Sequence, residues 1–227
     1  EDKEVSQWVE KVFKKKKINV LTGTLADNID DEKVLISVGV EGNSTGMGLK
    51  GLGLEFSDNN HIAVNEYGKT NIDNIYAVGD VIGAPWLAHV SAAEGLYVAE
   101  HLCGLNPKQI DYNSIPACTY SKPEVASIGD TEETLVDNNI EFKVAKSFFI
   151  ANGKAVAVGS TDGFIKILVG TKGNILGAHI VGSNATEMIS ELSIIKTNNL
   201  TIENIFNSVH PHPTFSEAIF ETLLQLK

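Results

Sequence analysis

Arginine is absent from this chain of 227 residues, and lysine supplies all 18 of its basic residues. The formal net charge is −11, so acidic residues predominate. An arginine guanidinium forms paired hydrogen bonds to phosphate and guanine that a lysine ammonium cannot reproduce. The lack of arginine and the excess of negative charge therefore argue against nucleic-acid binding.

Cysteine is scarce as well, since Cys103 and Cys118 are the only two. They are too far apart in sequence for a C-x-x-C redox pair and too few for a metal cluster. We therefore predict that both are small buried apolar residues, which favours a reducing compartment.

Long apolar runs are missing, because none approaches the ~20 residues that a membrane-spanning helix needs. We predict neither a membrane span nor a secretory signal peptide. With 43% apolar and 21% charged residues, the composition is typical of a globular protein. The length allows one or two domains with a buried core.

The first 42 residues combine a helical pattern with short apolar runs. Apolar residues at helical spacing predict a helix over residues 5–13, and the basic run Lys14–Lys17 suits the solvated end of that helix. Ile18–Leu21 and Val34–Val38 are predicted strands. Gly39 follows the second run, where a glycine lets a ligand approach the backbone closely.

The next stretch is rich in glycine but does not predict a dinucleotide-binding loop. No strand leads directly into residues 46–53, and no acidic residue follows at the required distance. We predict a loop or short helix that carries Leu49 and Leu52 into a core. His61–Asn65 and Ile75–Val78 are predicted strands.

Gly79 and Asp80 stand at the carboxyl end of the second of these predicted strands. Ligands of open α/β sheets bind beyond the carboxyl ends of strands. The glycine would allow close approach, and the carboxylate could accept a hydrogen bond from a sugar-like hydroxyl. Taken alone, however, a Gly-Asp pair is more typical of an ordinary tight turn.

A helix is predicted from Leu87 to Leu102, and Gly104 is placed to end it. A helix start carries free N–H groups and partial positive charge, which suits an electron-rich ligand. The candidate ligand-binding residues at this start are Trp86, Leu87, Ala88 and His89. His89 alone is more typical of a helix-start residue than of a catalyst.

From Ile115 onward the pattern predicts an antiparallel sheet with helices, an α+β unit. Predicted strands cover residues 116–120, 142–149, 163–169 and 175–181, with a hairpin turn at 171–174. Thr131 is a predicted N-cap, and helices are predicted over 185–196 and after Thr201.

Residues 210–217 read HPHPTFSE and carry the strongest signal in the chain. The prolines fix φ and remove backbone donors, so this segment is predicted to be a stiff connector rather than a helix or central strand. Histidine exchanges protons near neutral pH, and a nearby carboxylate can hold its tautomer. An alternative is that Thr214 and Glu217 form a capping box for the next helix, without any catalysis.

Three segments together resemble a known family. The HPHPTFSE motif resembles the active-site signature of dihydrolipoamide dehydrogenases, flavoproteins of the class I pyridine nucleotide-disulfide oxidoreductase family. Residues 70–80, with the pattern T-x-x-x-x-I-Y-A-V-G-D, resemble the second FAD fingerprint of that superfamily. Residues 121–129, SKPEVASIG, resemble the entry into its interface domain.

The resemblance implies roles for individual residues. His212 would be the proton acceptor, and Glu217 would hold it. Asp80 would bind the ribityl chain of FAD, and Trp86–His89 would contact the flavin. Gly39 would lie near the nicotinamide nucleotide. Trp86 stands where many members have methionine, and Val40 replaces the usual arginine, so that no contact is carried over to the valine.

The fold class that the resemblance implies is α/β and α+β: the end of a two-dinucleotide-binding FAD/NAD region, followed by an antiparallel-sheet interface domain. The implied domains are the end of the NAD-binding domain (1–42), a central FAD-binding segment (43–110) and the interface, or dimerisation, domain (111–227). Family members have several more strands where only residues 25–33 intervene here. A trimmed domain and an omitted stretch both remain open.

The implied activity is that of dihydrolipoyl dehydrogenase, the flavoprotein component of 2-oxo acid dehydrogenase complexes. Dihydrolipoyl groups are oxidised by NAD⁺ through a redox disulfide and FAD. The chain lacks that cysteine pair and both dinucleotide glycine loops, so it resembles a C-terminal portion that we predict to be inactive alone. The location implied is the cytoplasm in a bacterium, and the mitochondrial matrix or a plastid in a eukaryote.

The implied partners are a second copy, paired through residues 111–227, and the lipoyl-carrying acyltransferase subunit, with no nucleic acid or membrane. Large apolar residues of the last helices are predicted to leave a face that this partner copy covers, and the alternative is that all of them serve the monomer's own core: Ile189, Leu192, Ile195, Phe206, Ile219, Phe220 and Leu223.

Three other functions remain in view. A glutathione or trypanothione reductase shares the fold and a His-Pro-Thr-x-x-Glu string, although the doubled His-x-His favours the lipoyl enzyme. Mercuric reductases replace the histidine motif, and its presence here disfavours them. A non-catalytic dimerisation or scaffold module is the alternative from another class.

Overall fold

The computed structural model describes residues 1–25 and 31–227. The chain divides into two compact units: unit one contains Glu1–Thr24 and Asp111–Lys227, and unit two contains Leu25–Ile110. Most of the short segment 25–33 lies outside the described residues, so its two interpretations both stay open. The domain boundaries given above remain predictions.

Unit one is organised by a five-stranded antiparallel sheet in the order β1-β2-β5-β4-β3. The strands are β1 Ala117–Thr119, β2 Val125–Gly129, β3 Phe142–Phe148, β4 Phe164–Gly170 and β5 Ile175–Val181. Strand β4 is buried along its whole length, as the apolar run FIKILVG requires of a strand covered on both faces. The predicted antiparallel sheet is therefore confirmed.

The α-helices are α1 Lys3–Lys15, α2 Ala88–Leu102, α3 Glu132–Asp137, α4 Gly153–Ala157, α5 Ala185–Thr197, α6 Ile202–Phe206 and α7 Glu217–Leu223. Short 3₁₀ helices occupy Leu49–Leu52, Asp58–Asn60, Gly79–Ile82, Tyr112–Ser114, Phe149–Ala151 and Leu224–Leu226. The cap predicted at Thr131 is confirmed, since its hydroxyl accepts the N–H of Thr134 at 3.1 Å. No helix in the described part of the chain is long and apolar enough to cross a membrane.

The core of unit one lies between the sheet and helices α5 and α7. The seven apolar residues of the last helices all belong to it: Ile189, Leu192, Ile195, Ile219 and Leu223 are buried, and Phe206 and Phe220 pack against them. Burying each such side chain stabilises the fold by roughly 1.5–3 kcal/mol. The five buried residues therefore serve the monomer's own core, and the prediction that they lie on a face covered by the partner copy is wrong, whereas Phe206 and Phe220 are only partly buried.

Helix α1 is joined to the sheet by an apolar contact and by buried charges. Val5 packs with Phe164 and two other buried residues of β2 and β5. Lys166, the third residue of β4, places its ammonium 2.9 Å from Asp2 and 3.1 Å from Glu4, and it also pairs with Glu132 of α3. The N-termini of α1 and α3 thus meet at one buried lysine.

Two predicted strands of the first segment are wrong. Ile18–Leu21 and Val34–Val38 are irregular, and Leu35 and Val38 are 93% and 90% exposed. A strand requires neighbouring backbone groups to complete its hydrogen bonds. Neither run has such a neighbour among the described residues, so the apolar pattern alone does not produce a strand.

Unit two contains α2 and short irregular segments. The strands predicted at His61–Asn65 and Ile75–Val78 are reduced to isolated bridges, one at Ile62 and one at Tyr76, because each run pairs at a single position. The glycine-rich stretch forms a short 3₁₀ helix as predicted. It does not carry Leu52 into a core, however, since that side chain is 59% exposed.

The cysteines differ from each other. Cys103, at the end of α2, is exposed, so the prediction of burial is wrong there. The helix end faces solvent, and packing does not require an apolar side chain at that point. Cys118 is half-buried, and this burial raises the pKa of its thiol. An elevated pKa keeps the thiol protonated and unreactive at neutral pH.

Candidate active site

The HPHPTFSE segment connects α6 with α7 and brings His212 next to Glu217. Nδ1 of His212 lies 2.8 Å from Oε1 of Glu217. The His212 side chain is 76% exposed, whereas that of Glu217 is 19% exposed. The imidazole of His212 is therefore exposed to solvent, while the Glu217 carboxylate that it contacts is largely covered.

Glu217 is held on its other oxygen by the backbone. The N–H of Thr214 donates to Oε2 of Glu217 at 2.7 Å. This hydrogen bond, followed by the one with His212, lowers the pKa of Glu217 below its ordinary value. The carboxylate is thus ionised at neutral pH and can only accept, so Nδ1 of His212 carries the proton. In the neutral ring, Nε2 is then free to accept a proton.

A reciprocal capping box does not form here. The hydroxyl of Thr214 donates to the carbonyl of Pro211 at 2.8 Å instead of capping α7. Ser216 occupies the N-cap position, and α7 begins at Glu217 itself. The Glu217 carboxylate therefore forms its hydrogen bonds with the segment that precedes α7.

Asn152, which the sequence did not indicate as a site residue, holds the same segment through a hydrogen bond. This buried residue caps α4 through its side-chain Oδ1, which accepts the N–H of Ala155 at 3.0 Å. Its amide nitrogen donates to the carbonyl of Thr214 at 3.1 Å. The signal in the sequence was only that of an ordinary N-cap, so its second role could not be inferred.

Gly79 and Asp80 lie in unit two, at the start of a 3₁₀ helix. Gly79 has φ +78°, and a Cβ there would stand 2.8 Å from the hydroxyl of Ser91 in α2. The N–H of Gly79 donates to the buried carboxylate of Glu94 at 2.7 Å, a contact that the sequence did not reveal. Close packing on α2 therefore demands this glycine, and Asp80 is left exposed beside it.

The remaining predicted flavin contacts surround the start of α2, which begins at Ala88. Trp86 stacks on His61, with the ring centroids 6.2 Å apart and the planes at 25°. Leu87 is the N-cap and gives no side-chain cap, while Ala88 and His89 are exposed in the first turn. An exposed carboxylate and an accessible helix start fit the ribityl and ring portions of a flavin.

Gly39 is exposed and irregular, with φ +113°, and nothing lies within 4 Å of where its Cβ would stand. Its backbone conformation requires glycine, whereas local packing does not. Among the described residues, no group of three or more His, Cys, Asp or Glu side chains has the arrangement of a metal site. The candidate site is accordingly an acid–base pair in unit one and a set of potential flavin contacts in unit two.

Comparisons with known proteins identify the family. Residues 1–95 match the model for pyridine nucleotide-disulphide oxidoreductases, and residues 115–223 match the model for their dimerisation domain. The dihydrolipoyl dehydrogenase of Zymomonas mobilis is 40% identical over 247 residues, covering 99% of this chain and 53% of that protein. The Bacillus subtilis enzyme of the same name is 40% identical, with 99% and 52% covered.

The chain thus spans about half the length of the curated relatives that it matches. The aligned region extends over 247 residues against 227 in this chain, so the relatives carry residues inside it that are lacking here.

Solved structures have the same fold. LpdA from Mycobacterium tuberculosis superposes with a TM-score of 0.91 at 23% identity, covering all of this chain and 53% of that one. The HOCl-induced flavoprotein disulfide reductase RclA from Escherichia coli gives 0.92 at 19% identity, covering 100% and 56%. The fold is therefore that of flavoprotein disulfide reductases, with the α/β and α+β parts predicted above. The two matched family models, with the relatives that are 40% identical, show that the chain belongs to the pyridine nucleotide-disulphide oxidoreductase family.

Proposed function

We propose that this chain corresponds to the C-terminal half of a dihydrolipoyl dehydrogenase and contributes its proton acceptor, His212. The observation that carries the proposal is the hydrogen bond between His212 and Glu217, which leaves Nε2 exposed and able to accept a proton. The similarity to curated dihydrolipoyl dehydrogenases along nearly the whole chain supports this substrate class.

In this proposal His212 acts on a thiol of the dihydrolipoyl group. Nε2 takes the thiol proton, and the resulting thiolate attacks one sulfur of a disulfide that residues outside this chain supply. The S–S bond of that disulfide breaks, a mixed disulfide forms, and the other sulfur leaves as a thiolate. Glu217 keeps the ring in the required tautomer and stabilises the imidazolium that forms. FAD and NAD⁺, when bound, would supply the electron transfer that reoxidises the reduced disulfide. Asp80 and Trp86–His89 would hold the flavin, and Gly39 would lie beside the nicotinamide nucleotide.

The proposed assembly is a homodimer formed through residues 111–227, in which the histidine of one subunit completes the site of the other. The match to a dimerisation domain supports it. Because the core of unit one already buries the large residues of α5 and α7, the contact would use other apolar side chains, such as the exposed Ile194 and Val209. Light scattering should give twice the mass of one chain. The proposed further partner is the lipoyl-carrying acyltransferase subunit of a 2-oxo acid dehydrogenase complex.

One observation favours a second candidate function, that of a non-catalytic dimerisation module. The chain has two cysteines, both are free in the structure, and burial raises the pKa of the Cys118 thiol. A disulfide reductase needs a redox pair, so the chain by itself cannot carry out the complete reaction. A glutathione-reductase-like substrate is the remaining catalytic alternative.

A chimera tests the proposal. The segment of the Bacillus subtilis enzyme that matches this chain is replaced by the chain, and NADH formation from dihydrolipoamide is measured. His212→Gln should lower kcat by about 10²–10⁴-fold, the usual contribution of a positioned acid–base group. Glu217→Gln should cause a smaller loss.

The matched control is Glu203→Gln, an exposed glutamate in the first turn of α6, which should leave the rate unchanged. A chimera that binds FAD yet forms no NADH would overturn the proposal. A His212→Gln chimera as active as its parent would do the same. Oxidised glutathione serves as the competing substrate in a parallel assay, and a preference for it would select the glutathione-reductase-like alternative.

A further inference from the structure

We infer that His210 and Glu191 form a positioning pair that fixes the direction of His212. Nε2 of His210 lies 2.8 Å from Oε1 of Glu191, a residue of α5 that is 19 positions earlier in the chain. For catalysis this inference rests on the proposed function, because His212 is the proposed proton acceptor. The geometry of the pair itself does not depend on that function.

The two histidines of the motif occupy opposite environments. The side chain of His210 is 10% exposed, whereas that of His212 is 76% exposed. Each imidazole pairs with its own glutamate at 2.8 Å. The doubled motif therefore contains one imidazole that is largely covered and one that faces solvent.

The buried ring connects two helices that support the site. It pairs with α5 through Glu191 and packs on Phe220 of α7, with the ring centroids 5.8 Å apart. Phe220 in turn meets Phe206 of α6 edge-on at 6.1 Å. Because α7 begins with Glu217, His210 contacts the helix that carries the partner of His212.

Side chains, not backbone ladders, hold the segment that presents His212. Within the described part of the chain, the backbone of residues 209–213 forms no hydrogen bond with other backbone groups. On the C-terminal side of His212, Thr214 is held by Asn152 and Glu217. On the N-terminal side, the pair of His210 and Glu191 is the corresponding anchor.

Among the described residues, the His210 ring has no hydrogen bond besides the one with Glu191. Its Nδ1 atom is buried and has no hydrogen-bond partner in the described structure. Glu191 is therefore the one polar group that orients the ring. Loss of the pair should accordingly disturb the direction of His212.

The test uses the 227-residue chain with ¹⁵N-labelled histidine and records the tautomer of each ring by NMR. Glu191→Met and His210→Leu remove the pair, and we expect His212 to lose the single Nδ1–H tautomer that the bond to Glu217 imposes. His210→Gln should preserve it, because the glutamine amide nitrogen can stand where Nε2 stands. Glu187→Met, at an exposed position one turn earlier in α5, is the matched control and should also preserve it.

His179 of β5 provides an internal reference, because its buried ring reports whether unit one remains folded in each variant. The inference is overturned if His212 keeps its tautomer in both Glu191→Met and His210→Leu. It is equally overturned if His210→Gln disturbs His212 as much as His210→Leu does.

A kinetic measurement separates this inference from the proposed function. In the chimera described above, His210→Leu should lower kcat by about 100-fold with little change in KM, the cost of misplacing a reacting group by roughly 1 Å. An inactive parent chimera with a normal NMR result would refute the function and leave the positioning pair standing. An active chimera in which His210→Leu affects neither kcat nor the tautomer would refute the pair alone.

Discussion

Replacing Lys166 by methionine should strongly destabilise unit one. The lysine side chain is fully buried in β4, and Asp2, its partner at 2.9 Å, is fully buried as well. Methionine has similar length but no charge, so the variant would leave the Asp2 carboxylate buried without its cation. The other partners, Glu4 and Glu132, are 43% and 38% exposed and can turn towards water.

The size of the effect follows from this difference in burial. Removing one partner of a buried ion pair costs about 3–5 kcal/mol, because the remaining charge is desolvated and unpaired. Removing a partly exposed partner, as in Glu132→Gln, should cost less than about 1 kcal/mol. The double variant with Lys166→Met and Asp2→Asn should recover part of the loss, with a coupling energy of about 2–3 kcal/mol.

The same cluster predicts how stability depends on pH. Burial raises the pKa of Asp2, but the hydrogen bond from Lys166 and the nearby positive charges bring it below the ordinary 3.8. Burial also lowers the pKa of His179, the cross-strand neighbour of Lys166, below 6.5. Both shifts make the unfolded chain bind more protons in acid, so stability should fall as the pH drops below about 6.5 and again through the pKa of Asp2. The pKa of Lys166 is raised, because its carboxylate partners outweigh burial, so its contribution is lost only in strong alkali, above 10.5.

Urea unfolding measures these energies. A Trp86→Phe background leaves Trp8 of α1 as the single tryptophan, and its ring packs edge-on against Phe164 of β4 at 5.5 Å. Lys143→Met, at an exposed position of β3, is the matched control and should change stability by less than about 0.5 kcal/mol. The reasoning is refuted if Lys166→Met costs no more than the control.

The remaining predictions concern the site, the packing and the cofactor. The carboxyl of Glu217, followed by ¹³C NMR, should show a pKa below the ordinary 4.5. His212→Leu should return this pKa only part of the way, because the hydrogen bond from the Thr214 N–H lowers it more than the one with His212 does. A complete return to the ordinary value would contradict this. Gly177→Ala should cost about 1–3 kcal/mol in urea unfolding, since the new methyl would stand 1.9 Å from the carbonyl oxygen of Asp130. Gly153→Ala, where nothing lies within 4 Å, should be neutral or stabilise by about 0.4–1 kcal/mol. The chain alone should retain little FAD through gel filtration and form no NADH from dihydrolipoamide, and a yellow fraction with stoichiometric flavin would disprove the first expectation.

Much of unit one could be predicted because its signals are local, although β2 was not predicted and the strand predicted at Ile18–Leu21 is wrong. The runs that became β4 and β5 are apolar and are joined by a four-residue turn, so the strands and their hairpin follow from neighbouring residues. The cap at Thr131 depends on a backbone N–H three positions away. The strand order β1-β2-β5-β4-β3 could not be read in the same way, because it depends on which distant strands pair.

The buried charge in the sheet could not be predicted from the sequence for the same reason. The run FIKILVG is typical of a buried strand, and a lysine as its third residue has no local explanation. Its partners Asp2 and Glu132 are 164 and 34 positions away along the chain, and nothing in the intervening sequence indicates that they meet. Burial of Lys166 is a consequence of tertiary packing that supplies several carboxylates at once.

The two histidine pairs differ in how far their contacts could be predicted from the sequence. His212 and Glu217 are five positions apart in a stiff, proline-containing segment, so their contact was accessible from the sequence. His210 pairs across 19 positions with a residue on the flank of α5, whose buried stripe is formed by its neighbours Ile189 and Leu192. In an extended segment, side chains two positions apart would lie on the same side. Here the chain bends after Pro211, and the hydroxyl of Thr214 donates to the carbonyl of Pro211 across the bend. The two imidazoles therefore point in different directions: His210 packs between the helices, and His212 faces the solvent.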